Sequence, residues 1–221
     1  MNLKDNENLF VLGGFLALTA LISAAVLTLV SMSTADPIAR RKFLNTRESL
    51  RQLNLPEFDN SPMQEALQRT SPAGFPVTLM PVKKNGKTIA FAAKAVSPNG
   101  YAGNLEIMAG FSADGRISAV LVTSQKETPG LGSNVCERKF RRTIFNFYKP
   151  LPPGLPPNNV LDQFNGMKIS GNIDWRVKRD GGTFDYVTGA TITSRAIIEA
   201  VAEAGKTLAL NQKDLLSGGK K

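Results

Sequence analysis

The first regular feature of the chain is a long apolar run. From Leu9 to Val30 no residue is charged, and Leu, Ala, Val, Phe and Ile dominate. As a helix this run covers roughly 33 Å at about 1.5 Å per residue, enough to cross a bilayer. A cleaved signal peptide would have an apolar core of about 7 to 15 residues behind a basic segment. Here the core is longer, and Lys4, Asp5 and Glu7 ahead of it are not basic on balance. The pattern predicts an uncleaved transmembrane helix over 9–32 after a short segment 1–8. Gly13, Gly14, Thr19, Ala20, Ser23, Ala24 and Ala25 give it small surfaces where other membrane helices can approach.

Residues 33–72 read as a juxtamembrane helical segment. Ala39 to Leu53 places Phe43, Leu44, Leu50 and Leu53 on or near one face, ending before Pro56. Ser61-Pro62-Met63-Gln64 has the form of a helix start, and Ser71-Pro72 would close that second short helix. From Val77 onward the period shortens to that of strands. Val77 to Val82 and Lys87 to Ala95 flank Asn85-Gly86; Leu105 to Phe111 and Arg116 to Thr123 flank Asp114-Gly115. Both dipeptides are strong hairpin signals, so the expected class is α+β, an antiparallel sheet with helices packed on one face. The run Lys149 to Pro157 predicts an extended polyproline loop. A strand is expected within Lys168 to Lys178 near Trp175, a turn at Asp180-Gly181-Gly182, and a helix over Ser194 to Leu210 with Ile197, Ile198, Val201, Ala204 and Leu208 at helical spacing. One domain over 73–212 and a disordered tail over 213–221 complete the organisation.

Composition narrows the chemistry. The chain has 221 residues, with 27 Lys+Arg against 18 Asp+Glu, one Cys and no His. Without His there is no Ser-His-Asp triad, imidazole base or His metal ligand, and one Cys builds neither an iron–sulfur cluster nor an intrachain disulfide. A borrowed organic cofactor remains open for redox work. The net charge of +9 does not imply nucleic acid, because the basic residues are scattered rather than interleaved with aromatics. Arg40, Arg41, Lys42, Arg47 and Arg51, just beyond the apolar run, suit anionic lipid head groups. By the positive-inside rule they would also leave the following domain in the cytoplasm.

Two motifs carry the candidate chemistry. In Asp185-Tyr186-Val187-Thr188-Gly189-Ala190-Thr191, the plain reading is a strand-to-helix turn, with Thr191 or Thr193 capping the next helix. The same seven residues also resemble a flavin acceptor sequence, and both readings can hold together. Glu127-Thr128-Pro129-Gly130-Leu131-Gly132 is a tight loop whose backbone can approach a flat ring. It lacks the lysine of a phosphate-binding loop, which disfavours ATP hydrolysis. Cys136 reads as a small buried hydrophobe, and Trp175 and Tyr186 as core residues or ring-stacking neighbours.

These motifs, with the Gly100-Tyr101-Ala102-Gly103 turn, Ser194-Arg195-Ala196 and the N-terminal anchor, resemble the FMN-binding domain family. Within it the chain is similar to the G subunits of Rnf electron-transport complexes, relatives of the C subunit of the sodium-pumping NADH:quinone oxidoreductase. The resemblance implies FMN joined through its phosphate to the Thr191 hydroxyl, with Asp185, Thr188, Gly189 and Ala190 shaping the acceptor loop and Glu127, Thr128, Gly130, Leu131 and Gly132 contacting the flavin. A threonine hydroxyl is a poor nucleophile without a base, so an external flavin transferase, using FAD and magnesium, is implied. The resemblance further implies an electron-transfer subunit of an ion-translocating complex, not catalytic alone, that couples ferredoxin and NAD to ion movement beside other membrane subunits. It also implies a domain on the periplasmic side of a bacterial inner membrane. The alternative from another class is a non-redox membrane-anchored scaffold.

Overall fold

The computed structural model describes residues 3–140, 148, 150 and 154–216, with residues 3–8 described by their backbone alone. It divides into two compact units, Met1–Asn45 and Thr46–Lys221. In the first, helix α1, which runs over Leu3–Gln52 as a whole, presents Leu9, Phe10, Leu21, Leu27 and Leu29 exposed. The helix is long and apolar enough to cross a membrane. Where separate helices were expected on either side of residue 33, α1 is continuous through Pro37. Proline removes one backbone donor, but the flanking helical turns persist around it.

The second unit holds a five-stranded antiparallel sheet in simple meander order. Its strands are β1 (Leu67–Thr70), β2 (Pro76–Lys84), β3 (Lys87–Gly100), β4 (Gly103–Ser112) and β5 (Ile117–Ser124). Asn85 and Gly86, with φ of 51° and 74°, form the tight turn that joins β2 to β3. Helices follow: α2 (Gly132–Cys136), α3 (Asn159–Asp162), a 3₁₀ turn (Lys178–Asp180) and α4 (Thr191–Leu216).

Alternate residues of the strands face two different cores. Phe91, Ala93, Leu105, Ile107, Ala109 and Phe111 pack with Ile197, Val201, Ala204 and Leu208 of α4. On the opposite side Met80, Ala92, Met108, Ala119 and Leu121 pack with Leu50 in the last turn of α1 and Leu53 just beyond it. The sheet is therefore covered on both faces rather than one. Ala at positions 90, 92, 93, 95, 109 and 119 is what allows it, since each is buried and none projects far. Of the expected apolar face of α1, Leu50 and Leu53 are buried, whereas Phe43 and Leu44 are about half exposed.

Other local expectations give way to pairing. The helix expected from Ser61 is a single turn, Pro62 to Glu65, followed by strand β1. Serine followed by proline suits a β-turn as well as a helix start. Here the turn closes through Gln64 N–H to Ser61 O at 2.9 Å, while Leu67 to Thr70 pair with Leu79 to Pro76. Between Lys168 and Lys178 no strand forms; single bridges join Arg116 to Lys168 and Val177 to Phe184. That stretch is held instead by aromatic packing: Trp175 stacks on Phe184 at 5.2 Å and on Phe164 at 6.4 Å. Trp175 and Tyr186 thus pack against the core. Helix α4 starts before and ends beyond the expected Ser194–Leu210. Residues 149 and 151–153 of the expected polyproline loop, and 217–221 of the expected tail, lie outside the described residues.

Candidate functional site

The site begins with a buried carboxylate. Glu127 leaves β5 through a short coil, and its side chain is 5% exposed. The Thr193 hydroxyl donates to Oε2 at 2.8 Å and the Ala102 N–H to Oε1 at 3.4 Å. One carboxylate thereby joins the β3–β4 turn, its own loop and the first turn of α4. Two glycines make room for it: a Cβ on Gly132 would lie 2.7 Å from Oε2 and 2.8 Å from Thr193 Oγ1, and one on Gly100 would lie 2.8 Å from Oε1. Both glycines are therefore required by packing.

The loop after Glu127 closes on itself. Leu131 and Ser133 N–H both donate to Thr128 O at 3.2 Å, Gly130 N–H donates to Ser133 Oγ at 3.0 Å, and Asn134 Nδ2 donates to Gly130 O at 2.6 Å. The φ of +81° at Gly130 is what the turn asks of that position. Buried Asn158 then fixes the end of α2, donating to Val135 O at 2.9 Å and Glu137 O at 3.0 Å.

The facing wall is the segment from Asp185 to Thr191, expected from the sequence to be a flavin acceptor. Gly189, at φ +87°, turns the chain into α4; Ala190 N–H donates to Val187 O at 2.9 Å, and Ser194 donates to Ala190 O through both its N–H and its Oγ at 3.0 Å. Thr191 is consequently the first residue of the helix, not its cap. It is 8% exposed, and its hydroxyl makes no hydrogen bond among the described residues. Between the two walls lies a cleft of about 440 Å³.

Of the expected contact residues, Glu127, Thr128, Leu131, Gly132, Gly189, Ala190 and Thr191 line this cleft; Gly130, Thr188 and Asp185 do not. Asp185 instead pairs with Lys178 at 2.6 Å, both side chains largely exposed. Its backbone is held by Gln163, which accepts from Asp185 N–H at 2.8 Å. Four further residues, Tyr101, Arg179, Ile192 and Thr193, also line the cleft. Tyr101 was within reach from its place in the Gly100–Gly103 turn, and Thr193 from its spacing to Thr191; nothing local marks Arg179.

The lining suits a phosphorylated flat ring. Leu131, Ile192, Ala190 and exposed Tyr101 offer apolar and aromatic surface, Thr128 and Thr191 offer hydroxyls, and the first amides of α4 with Arg179 offer positive potential. Cys136 behind the loop offers no chemistry: burial first, then the charges of Glu127 and Glu137, push its thiol up to about 12.

Comparison with known proteins agrees with this geometry. Residues 100–206 match the FMN-binding domain family, a span that begins at the Gly100 turn, ends inside α4 and contains both walls of the cleft. Over 192 residues the chain is 33% identical to the G subunit of the ion-translocating oxidoreductase complex of Pectobacterium atrosepticum, covering 84% of this chain and 83% of that protein. The chain belongs to this G-subunit family. The same name is carried by relatives from Shewanella baltica, 33% identical over 96% of this chain and 95% of that protein, and from Aliivibrio fischeri, 32% identical over 91% of each. For a member of the G-subunit family, alignment over nearly the whole length brings the N-terminal apolar helix within the likeness as well as the cleft.

Proposed function

We propose that this chain is a membrane-anchored, electron-carrying flavoprotein subunit of an Rnf-type ion-translocating complex, with FMN joined through its phosphate to Thr191. The observation that carries the reading is the Thr191 hydroxyl at the first position of α4, bonded to none of the described residues and opening on a cleft formed wholly within the FMN-binding domain match. When bound, the flavin supplies one- and two-electron redox chemistry. The chain's own residues do the rest. Thr191 ties the group down, the leading amides of α4 favour the phosphate charge, Leu131, Ile192 and Tyr101 shelter the ring, and Glu127 holds the two walls in register.

Attachment needs help, because no carboxylate or imidazole is bonded to Thr191 to take its proton. An external transferase would form the Thr191 Oγ1–phosphorus bond while the anhydride of FAD breaks and the nucleoside monophosphate leaves. Residues 9–32 anchor the chain in the bacterial inner membrane beside the other subunits, residues 33–72 connect, and residues 73–212 carry the cofactor on the periplasmic side. The charges of Arg40, Arg41, Lys42, Arg47 and Arg51 fall on the continuous helix α1, where they meet lipid head groups instead of acting as a topogenic loop. In the assembled complex the chain serves the coupling of ferredoxin and NAD to ion movement.

Intact mass of the membrane-extracted chain, with in-gel fluorescence after denaturation, tests the reading. An FMN-sized increment on the peptide containing Thr191 is expected. A bare peptide from cells that contain the transferase would overturn it and leave a tethered, non-redox scaffold.

A further inference from the structure

One cation of the cleft is left without a salt bridge. In the segment that leads to the acceptor loop, Arg176 pairs with Asp174 at 2.6 Å and Lys178 with Asp185 at 2.6 Å, while Asp180 accepts two bonds from Arg195 at 2.6 and 2.7 Å. Arg179 stands among these pairs, exposed, and it lines the same cleft as Thr191. Among the described residues its guanidinium makes no ion pair, and its charge reaches Asp180 only through space, since Arg195 already holds both oxygens of that carboxylate. The backbone around it is fixed. Lys178–Asp180 forms a 3₁₀ turn closed by Gly181 in the left-handed conformation, and the bonds of residues 178 and 180 tie it to the acceptor loop and to α4. The one carboxylate in the cleft, Glu127, is already occupied by Thr193 and Ala102. The cleft therefore holds a guanidinium with bonds to spare, a helix start and Thr191, a residue nine-tenths buried whose hydroxyl bonds to none of the described residues and opens on the cleft, which together call for an anion.

We propose that Arg179 is the phosphate-binding cation of this site. It grips the phosphodiester once FMN is attached to Thr191, and it meets the same phosphorus centre in the incoming dinucleotide while the transferase acts. Arg179 and Thr191 line the same cleft, and screening within about 8 Å at physiological salt makes the guanidinium act on a phosphate held there rather than steer ligands from afar. A guanidinium suits the task because its planar fork can bind two phosphate oxygens at once, which an ammonium does less well. The inference rests on the flavin reading above and adds a residue that nothing in the motif pattern marks.

The experiment uses the full-length chain, co-expressed with the transferase and extracted in detergent, as wild type, Arg179→Gln, Arg179→Lys, Thr191→Ala, the Arg179→Gln/Thr191→Ala double variant and Lys87→Gln as a charge-matched control on the distant β2–β3 hairpin. Intact mass after brief co-expression gives the flavinylated fraction, and thermal unfolding gives the midpoint of each form. Loss of charge-assisted bonds to phosphate should slow Arg179→Gln flavinylation by about tenfold, with Arg179→Lys between and Lys87→Gln unchanged. Arg179→Gln should lower the midpoint of the flavinylated chain by several degrees and leave the Thr191→Ala background unmoved. Equal lowering in both backgrounds would make Arg179 a structural residue and overturn the proposal. A flavinylated wild type with an unaffected Arg179→Gln would overturn this proposal alone, whereas a bare wild type would overturn it together with the flavin reading.

Discussion

The two walls of the cleft are built on opposite principles. Glu127 to Gly132 is fixed from within: its carboxylate is buried, its hydroxyl and amide partners come from two other elements, and two glycines exist to admit it. Asp185 to Gly189 is fixed mostly from outside, by an ion pair whose side chains are 57% and 64% exposed and by a glutamine bridge to its backbone; Tyr186 alone reaches the core, while Val187, Thr188 and Gly189 all face solvent. Burial resumes only at Ala190 and Thr191. The difference fits a site finished by another enzyme. Under the proposed attachment of the flavin, one wall keeps its shape for the cofactor and the other opens to a transferase at little cost, which exposed bonds permit and buried ones do not.

The sharpest way to break the comparison is at the point where the walls meet. Thr191→Ala should abolish covalent flavin completely, seen as loss of the fluorescent band, while circular dichroism stays close to wild type and the unfolding midpoint matches that of the unflavinylated wild-type chain. Alanine is well tolerated at a helix start that relies on no threonine side-chain cap. Next in size, Gly132→Ala forces a methyl against the Glu127 carboxylate, the Thr193 hydroxyl and Glu127 Cβ, all within 2.9 Å. Overpacking of that kind costs about 1–3 kcal/mol, and denaturant titration of the unflavinylated chain should show it. A Gly132→Ala chain as stable as wild type would mean that the first wall yields as readily as the second.

What could be read beforehand follows from how local each cause is. The hairpin at Asn85-Gly86 was legible because its turn chemistry sits in two adjacent residues, and the acceptor and Glu127 motifs were legible because each is a short continuous string. Asp185 was expected to shape the acceptor loop, but its partner there, Lys178, seven residues earlier in the chain, has no signature in the sequence. The bond between Glu127 and Thr193 spans 66 positions and has no signature at either end. Arg179 is the same case in stronger form: its proposed role rests on its neighbours having ion-pair partners where it has none among the described residues. Strand β1 was missed because the Ser61-Pro62 signal serves a turn and a helix start equally, and pairing with β2 decides.

A smaller effect reports on the first wall from behind. The Cys136 thiol, ordinarily near 9, is pushed up to about 12 by burial and then by Glu127 and Glu137. The folded chain therefore keeps the proton that the unfolded chain releases above pH 9. The buried thiol contributes its full stabilisation below that pH, and the contribution is lost progressively as pH rises toward 12. Unfolding midpoints measured between pH 8 and 11 should fall more steeply for wild type than for Cys136→Ala. Iodoacetamide at pH 8 should label the native thiol far more slowly than the unfolded one, and Gly132→Ala should speed that labelling if the wall has been loosened.

The smallest change in stability is expected at Asp185, and it separates recognition from architecture. Its pair with Lys178 is solvent-exposed, so Asp185→Asn should alter stability by no more than about 1 kcal/mol. Lys178→Gln breaks the same pair but leaves the carboxylate in place. If the carboxylate is what a transferase reads, Asp185→Asn will slow flavinylation and Lys178→Gln will not, with intact mass over a time course as the measure. Equal slowing would instead make the ion pair a splint for the loop, and the second wall would then resemble the first more than its exposure implies. Either result turns on the same physical point: a bond in water adds little to folding, yet it can present a charged group to a partner in one orientation rather than many.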